Sequence, residues 1–112
     1  MNHTLGKAER LHKRDFRCAQ WRGSGRSPHF LLFRSANDQS VARFGVVVSR
    51  KIKGAVKRNR IKRLVREFCR LHKHLFPGSA NYSVRVTRMP SGLTWEAVRL
   101  ELATLAIRAF NG

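Results

Sequence analysis

Apolar residues recur at helical spacing in two stretches of this chain, and short runs of β-branched and aromatic residues occupy three others. Over residues 55–76, Ile61, Leu64, Val65, Phe68, Leu71 and Leu75 follow the i, i+3, i+4, i+7 spacing of one helix face. At about 100° per residue they form a single stripe, with Arg60, Lys62, Arg63, Arg66, Arg70 and Lys73 on the other side. Pro77-Gly78 ends that helix. A second helix is predicted over residues 95–110. There Trp95, Val98, Leu102, Leu105 and Ala106 keep helical spacing, Thr94 suits the N-cap and Glu96 suits the first turn. Residues 29–34, after Pro28, read as a strand, as do residues 42–49 and the alternating run 82–87. The valine run in 42–49 points to burial near the sheet centre. A turn signal at Asn37-Asp38-Gln39-Ser40 joins the first two strands into a hairpin. Residues 23–27 add a short preceding strand, and residues 15–21 a short helix on which Phe16, Ala19 and Gln20 share a side. Gly23-Ser24-Gly25 would end that short helix.

The resulting order is helix, three strands, helix, strand, helix. It predicts an α+β fold: a mostly antiparallel sheet with helices on one side, a two-layer α/β sandwich. A length of 112 residues suits one domain spanning 1–112, with residues 1–12 polar, basic and partly mobile. At 42% hydrophobic the chain can build a core and is not a disordered basic tail.

Charge changes the picture more than composition does. The chain carries 24 Lys and Arg against 6 Asp and Glu, a formal net charge of +18. Residues 50–73 alone hold eleven cations and one acid, Glu67. Such density is self-repelling, and a polyanion with closely spaced phosphates is the natural counterpart. Within that segment Arg58-Asn59-Arg60 combines planar guanidinium forks with an amide able to donate and accept at a base edge or ribose hydroxyl. Gly54 lets backbone approach a phosphate, and the helix amino terminus adds partial positive charge.

Covalent chemistry by the polypeptide is poorly supported. The acids Glu9, Asp15, Asp38, Glu67, Glu96 and Glu101 offer no locally spaced acid–base pair. His72 and His74, two positions apart on one helix, would point about 200° apart and not share a metal. Cys18 and Cys69 lack a CxxC spacing and read as reduced thiols; Cys69, beside the apolar stripe, reads as a packing residue. There is no phosphate loop of nucleotide-binding type. The amino terminus has no apolar signal core and no run approaches 18 apolar residues, so the expected location is the cytoplasm, away from membranes. Phe16, Phe30, Phe33 and Phe44 are core candidates, yet any on an open sheet face beside arginines would form a stacking platform for single-stranded nucleic acid. Alternation places Phe30, Leu32 and Arg34 on one face and Leu31, Phe33 and Ser35 on the other, without saying which is open.

Residues 44–64, FGVVVSRKIKGAVKRNRIKRL, resemble the strand and Arg-Asn-Arg helix of the protein subunit of bacterial ribonuclease P. Asp15-Phe16 after a basic start, and Arg88-Met89-Pro90 with Leu93-Thr94, extend the resemblance over nearly the whole chain. It implies a sandwich of the ribosomal protein S5 domain 2-like type, order α-β-β-β-α-β-α, with a left-handed βαβ crossover. It also implies a ribonucleoprotein endonuclease that removes the 5′ leader of precursor tRNA. The catalytic Mg²⁺ ions would be carried by a large RNA subunit, and no small molecule would be a substrate. By that resemblance the RNA subunit is met by Arg50, Lys51, Lys53, Lys57, Arg58, Asn59, Arg60, Lys62, Arg63 and Arg66. The leader is met by Phe16, Gln20, Phe33 and Arg88, in a cleft between sheet and helix. Gln20 stands where many relatives carry a second aromatic, so a stacking contact is lost there or replaced by Trp21 or a hydrogen bond. Two rival readings are a ribosomal-type or chaperone RNA-binding module and a peripheral membrane protein with a basic amphipathic helix.

Overall fold

The computed structural model describes residues 10–11, 16, 20–37, 41–90 and 92–110. Strands β1 (Arg22–Arg26), β2 (Phe30–Ala36) and β3 (Arg43–Val48) precede helix α1 (Ala55–Leu71). A 3₁₀ turn (Lys73–Leu75), strand β4 (Ala80–Val86) and helix α2 (Trp95–Phe110) follow. The predicted short helix falls largely on residues outside the described set. Phe16 is helical, and Gly23 to Gly25 lie within β1 instead of ending a helix.

The four strands form one sheet in the order β1-β2-β4-β3. This corrects two expectations. Residues 29–34 and 42–49 do not make a hairpin: β2 pairs antiparallel with β1 and β4, and β3 pairs parallel with β4. The valine-rich β3 is therefore at the edge and β4 at the centre. A parallel neighbour needs a long crossover, and α1 supplies it between β3 and β4. The valines lie over a half-covered edge, with Val46 and Val47 only partly buried, whereas every residue of β4 except Arg85 is buried.

Both helices cover one face of the sheet. Phe30 and Leu32 of β2, Phe44 and Val48 of β3, and Tyr82, Val84 and Val86 of β4 point into this layer. They meet Ile61, Val65, Phe68 and Cys69 of α1 and Val98, Leu102, Leu105 and Ala106 of α2. Phe44 stacks on Tyr82 at 5.6 Å, while Phe76 and Phe110 meet Tyr82 edge-on at 5.0 and 5.4 Å. Such offset and edge-on pairs add to simple area burial. The Tyr82 hydroxyl donates to the Pro77 carbonyl, so this ring is buried with its polar end satisfied.

Helix α1 stops at Leu71, short of residue 76, and Leu71 is exposed rather than part of the stripe. Proline disfavours helical backbone in the residue before it. Phe76, preceding Pro77, is accordingly extended at φ −111° and ψ 101°. The 3₁₀ turn still delivers the Phe76 ring into the core, 5% exposed. Because the helix ends early, His72 and His74 do not point apart. Their rings lie 5.8 Å from each other, and His72 stacks on Phe68 at 4.4 Å. Helix α2 starts as predicted, with the Thr94 hydroxyl accepting from the Ala97 amide at 3.2 Å.

Glu101 ties α2 to the turn between β1 and β2. Its carboxylate accepts from the Ser27 hydroxyl and from the His29 amide at 2.9 Å, and it pairs with His29 Nδ1 at 2.7 Å. Burial pushes this carboxyl up, but the hydrogen bonds and attraction from Ser27 and His29 outweigh burial and hold it below its ordinary value of 4.5. The folded chain thus binds the Glu101 proton less tightly than the unfolded chain does. The resulting stability is full above about pH 4.5 and fades as pH falls through the lower folded value. Glu101→Gln should lower the urea midpoint at pH 7 and remove part of its loss on acidification to pH 3. An unchanged acid profile in the variant would show that Glu101 is not the titrating tie.

Candidate nucleic-acid interface

The face of the sheet away from the helices is the open one. It carries Leu31, Phe33 and Ser35 of β2, Gly45 and Val47 of β3, and Asn81, Ser83 and Arg85 of β4. In register, Phe33 and Gly45 flank Ser83, and Leu31 and Val47 flank Arg85. Arg10 and Leu11 lie at the outer edge of β3, and Phe16 lies against part of this face. Arg10 bridges Phe44, the Leu11 amide donates to the Phe44 carbonyl at 2.9 Å, and Leu11 is buried.

Phe16 rests on Gly45. A Cβ built on Gly45 would lie 2.1 Å from Phe16 Cζ, so the absent side chain is what admits the ring. Trp21 stands beside it, ring centroids 5.7 Å apart, its indole N–H donating to the Phe16 carbonyl at 3.2 Å. Phe16, Trp21, Phe33, Val47, Ser83 and Arg85 enclose a cleft of about 420 Å³. Of the four leader candidates, Phe16 and Phe33 thus come together. Gln20 is exposed and outside the lining, and Arg88 is exposed after β4, also outside it. Trp21, and not Gln20, stands beside Phe16 in the lining. Ser83 and Arg85 are absent from the sequence-based set; the polar places in the alternation Tyr82-Ser83-Val84-Arg85-Val86 were their signal.

The basic residues occupy the β3–α1 connection and the solvent side of α1. Arg50, Lys51, Lys53, Lys57, Asn59, Arg60 and Arg63 are exposed, and Lys62 and Arg66 half-buried. The first turn of α1 holds no acid and no side chain caps it, so the partial positive charge of its amino terminus is unopposed. Gly54 precedes it at φ +95°, a conformation that disfavours side chains. Among the described residues Lys53, Lys57, Arg60, Lys62 and Arg63 have no ion-pair partner, whereas Arg70 is bound to Glu67. Burial, and then the charge of Arg10, lower the pKa of Arg66, which marks close packing of like charge there.

Arg58 differs from its neighbours. Its guanidinium donates to the carbonyls of Ser49 at 2.7 Å, Ile52 at 2.9 Å and Val48 at 3.3 Å. It clasps the connection between β3 and α1 and thereby sets where the exposed cations stand. Because β3 and β4 run parallel, with Val48 opposite Val86, this connection and Arg88 emerge at the same end of the sheet. Val47 and Arg85 of the cleft lie one residue short of that end.

Other chemistry finds little support. Cys69 is fully buried and its thiol is pushed up to about 12 by burial, so it packs and does not act as a thiolate. No group of three or more His, Cys, Asp or Glu gathers among the described residues. No helix among them is long and apolar enough to cross a membrane.

The family model described as Ribonuclease P matches residues 5–109. This chain belongs to the ribonuclease P protein family. The ribonuclease P protein component of Syntrophus aciditrophicus is 40% identical over 104 residues, 91% of this chain and 87% of that one. Solved ribonuclease P proteins share the fold. The Thermotoga maritima structure superposes with a TM-score of 0.69 at 28% identity, covering 86% of this chain and 93% of its own. The Staphylococcus aureus structure gives 0.71 at 26% identity, covering 94% and 100%. The four-stranded sheet with its two long helices is thus the ribonuclease P protein architecture, and the chain is a component of ribonuclease P activity.

Arg58 and Arg60 should separate on substitution. Arg58→Ala removes three hydrogen bonds from a charged donor and should cost about 1–3 kcal/mol in urea unfolding. Arg60→Ala, on the exposed side, should stay within about 0.5 kcal/mol of the parent. Equal small losses would remove Arg58 from its clasp role.

Proposed function

We propose that this protein assists RNA-catalysed, Mg²⁺-dependent endonucleolytic removal of the 5′ leader from precursor tRNA, binding both the catalytic RNA subunit and the leader. The observation that carries this reading is the juxtaposition of two surfaces at one end of the sheet. One is a basic connection and helix with unopposed charge. The other is a cleft walled by aromatic rings, with no carboxylate among its described lining residues.

The protein contributes electrostatics and position. Arg50, Lys51, Lys53, Lys57, Arg60, Lys62, Arg63 and Arg66 neutralise phosphates of the RNA subunit, and Asn59 meets a base edge or ribose hydroxyl. Arg58 acts through the connection it holds. Phe16, Trp21 and Phe33 take leader bases by stacking, which tolerates sequence because every base has a flat face. Gln20 and Arg88, outside the lining, are assigned to the rim as polar contacts to the strand. Holding the leader fixes the register of the scissile phosphate against the RNA subunit, which with its Mg²⁺ supplies the hydrolysis. The site of action is the cytoplasm, where both RNAs reside.

The deciding experiment is cleavage of a precursor tRNA at low Mg²⁺ by the RNA subunit encoded in the same genome, with and without the protein. Strong stimulation is expected, with no cleavage by protein alone. Tight RNA binding without stimulation would reduce the protein to a general RNA-binding module. Arg60→Ala with Arg63→Ala should lower the slope of log affinity against log salt for the RNA subunit by about two, one per lost phosphate contact. An unchanged slope would take both residues out of the phosphate contacts. Phe16→Ala should weaken precursor binding by about 1–3 kcal/mol while leaving mature tRNA unaffected. Equal losses on both would make Phe16 a purely structural ring.

A further inference from the structure

Arg85 is the one exposed residue of β4, set between Leu31 on β2 and Val47 on β3. An arginine in that place does nothing visible for the fold. Among the described residues its guanidinium has no hydrogen-bond or ion-pair partner, and none of those lining the cleft it enters is an acid. Its donors are therefore open to whatever occupies the cleft.

The shape of the cleft constrains that occupant. Phe16 and Trp21, tilted 36° to each other, form a wall, and Phe33 rises from the sheet beside Ser83. A base stacked on such rings turns its edge toward the floor, where Arg85 and the Ser83 hydroxyl lie. A guanidinium offers two parallel N–H donors and no acceptor. Guanine matches that fork with O6 and N7, two acceptors side by side. Adenine, equal in size and stacking area, presents its N6 amino donor beside N7 and so sets donor against donor. A leader phosphate would also accept from Arg85, but it carries no ring to lie on Phe16, Trp21 or Phe33.

We infer that Arg85 is a specificity-determining residue, reading the edge of the leader base stacked in the cleft and selecting guanine over adenine. This rests on the leader-binding reading of the cleft. The test uses holoenzyme assembled from the full chain and its own RNA subunit. Precursor tRNAs carry a uridine leader into which a single guanosine or a single adenosine is walked position by position, and mature tRNA serves as the leaderless control. One leader position should bind with guanosine about tenfold more tightly than with adenosine. Arg85→Gln should reverse that preference, because a glutamine amide pairs with N6 and N7 of adenine. Mature tRNA affinity and the urea midpoint should be unchanged, since Arg85 is exposed. The absence of a guanosine–adenosine difference at every position, or a difference that survives Arg85→Gln, would overturn the inference. A uniform loss for both bases in Arg85→Gln would assign Arg85 to phosphate and overturn it equally. Phe16→Ala in the same assay separates the two levels. If it weakens precursor alone, the leader cleft stands whatever Arg85 does; if it weakens precursor and mature tRNA alike, the cleft reading falls and the inference falls with it.

Discussion

The alternation of β4 governs both layers of this molecule. The strand is the centre of the sheet, and its residues at even positions, Tyr82, Val84 and Val86, are buried beneath the two helices. A strand has only two faces, so burying one set commits Ser83 and Arg85 to the other. A slip of one residue would drive an arginine into the core and expose a tyrosine now bonded to Pro77 and ringed by Phe44, Phe76 and Phe110. The packing of the core thus sets the floor of the cleft, and the parallel pairing with β3 places the basic connection at the same end of the sheet.

Charge is handled by separation. The cations of α1 stand opposite a stripe that is buried by Ile61, Val65, Phe68 and Cys69, so the helix holds its place through packing while its outer side remains poorly neutralised. One cation is spent internally: Arg58 converts three carbonyls of an irregular connection into satisfied acceptors. Removing water from those carbonyls without such a donor would be costly, which explains a guanidinium directed inward in the most basic stretch of the chain.

The two long helices are legible in the sequence because a 3.6-residue period sustained over four turns has few alternatives, and Thr94 marks the start of α2 by its chemistry. The strands are legible as segments and not as neighbours. Nothing in residues 29–49 reveals that β4, more than thirty residues later, inserts between β2 and β3; pairing depends on the α1 crossover, a non-local property. Local short-range signals can also mislead: the spacing of Leu71 and Leu75 continues the stripe of α1, whereas the helix ends at Leu71 and a 3₁₀ turn carries Leu75. For the site, the basic residues are readable as a run, and Phe16 and Phe33 through family resemblance. Ser83 and Arg85 join them only through register, Trp21 is placed by its contact with Phe16, and Arg58 looks like its neighbours until its carbonyl partners are seen.

The seating of Phe16 on Gly45 has a corollary. On the outer edge of the same strand Arg10 bridges Phe44 and Leu11 is buried. An uncovered edge strand is a template for unwanted pairing with other chains. A side chain at Gly45 would meet Phe16 and Leu11 alike, so the cover of this edge and the wall of the cleft depend on the same absent Cβ. One substitution at a residue that has no side chain would therefore disturb the strand edge and the cleft together.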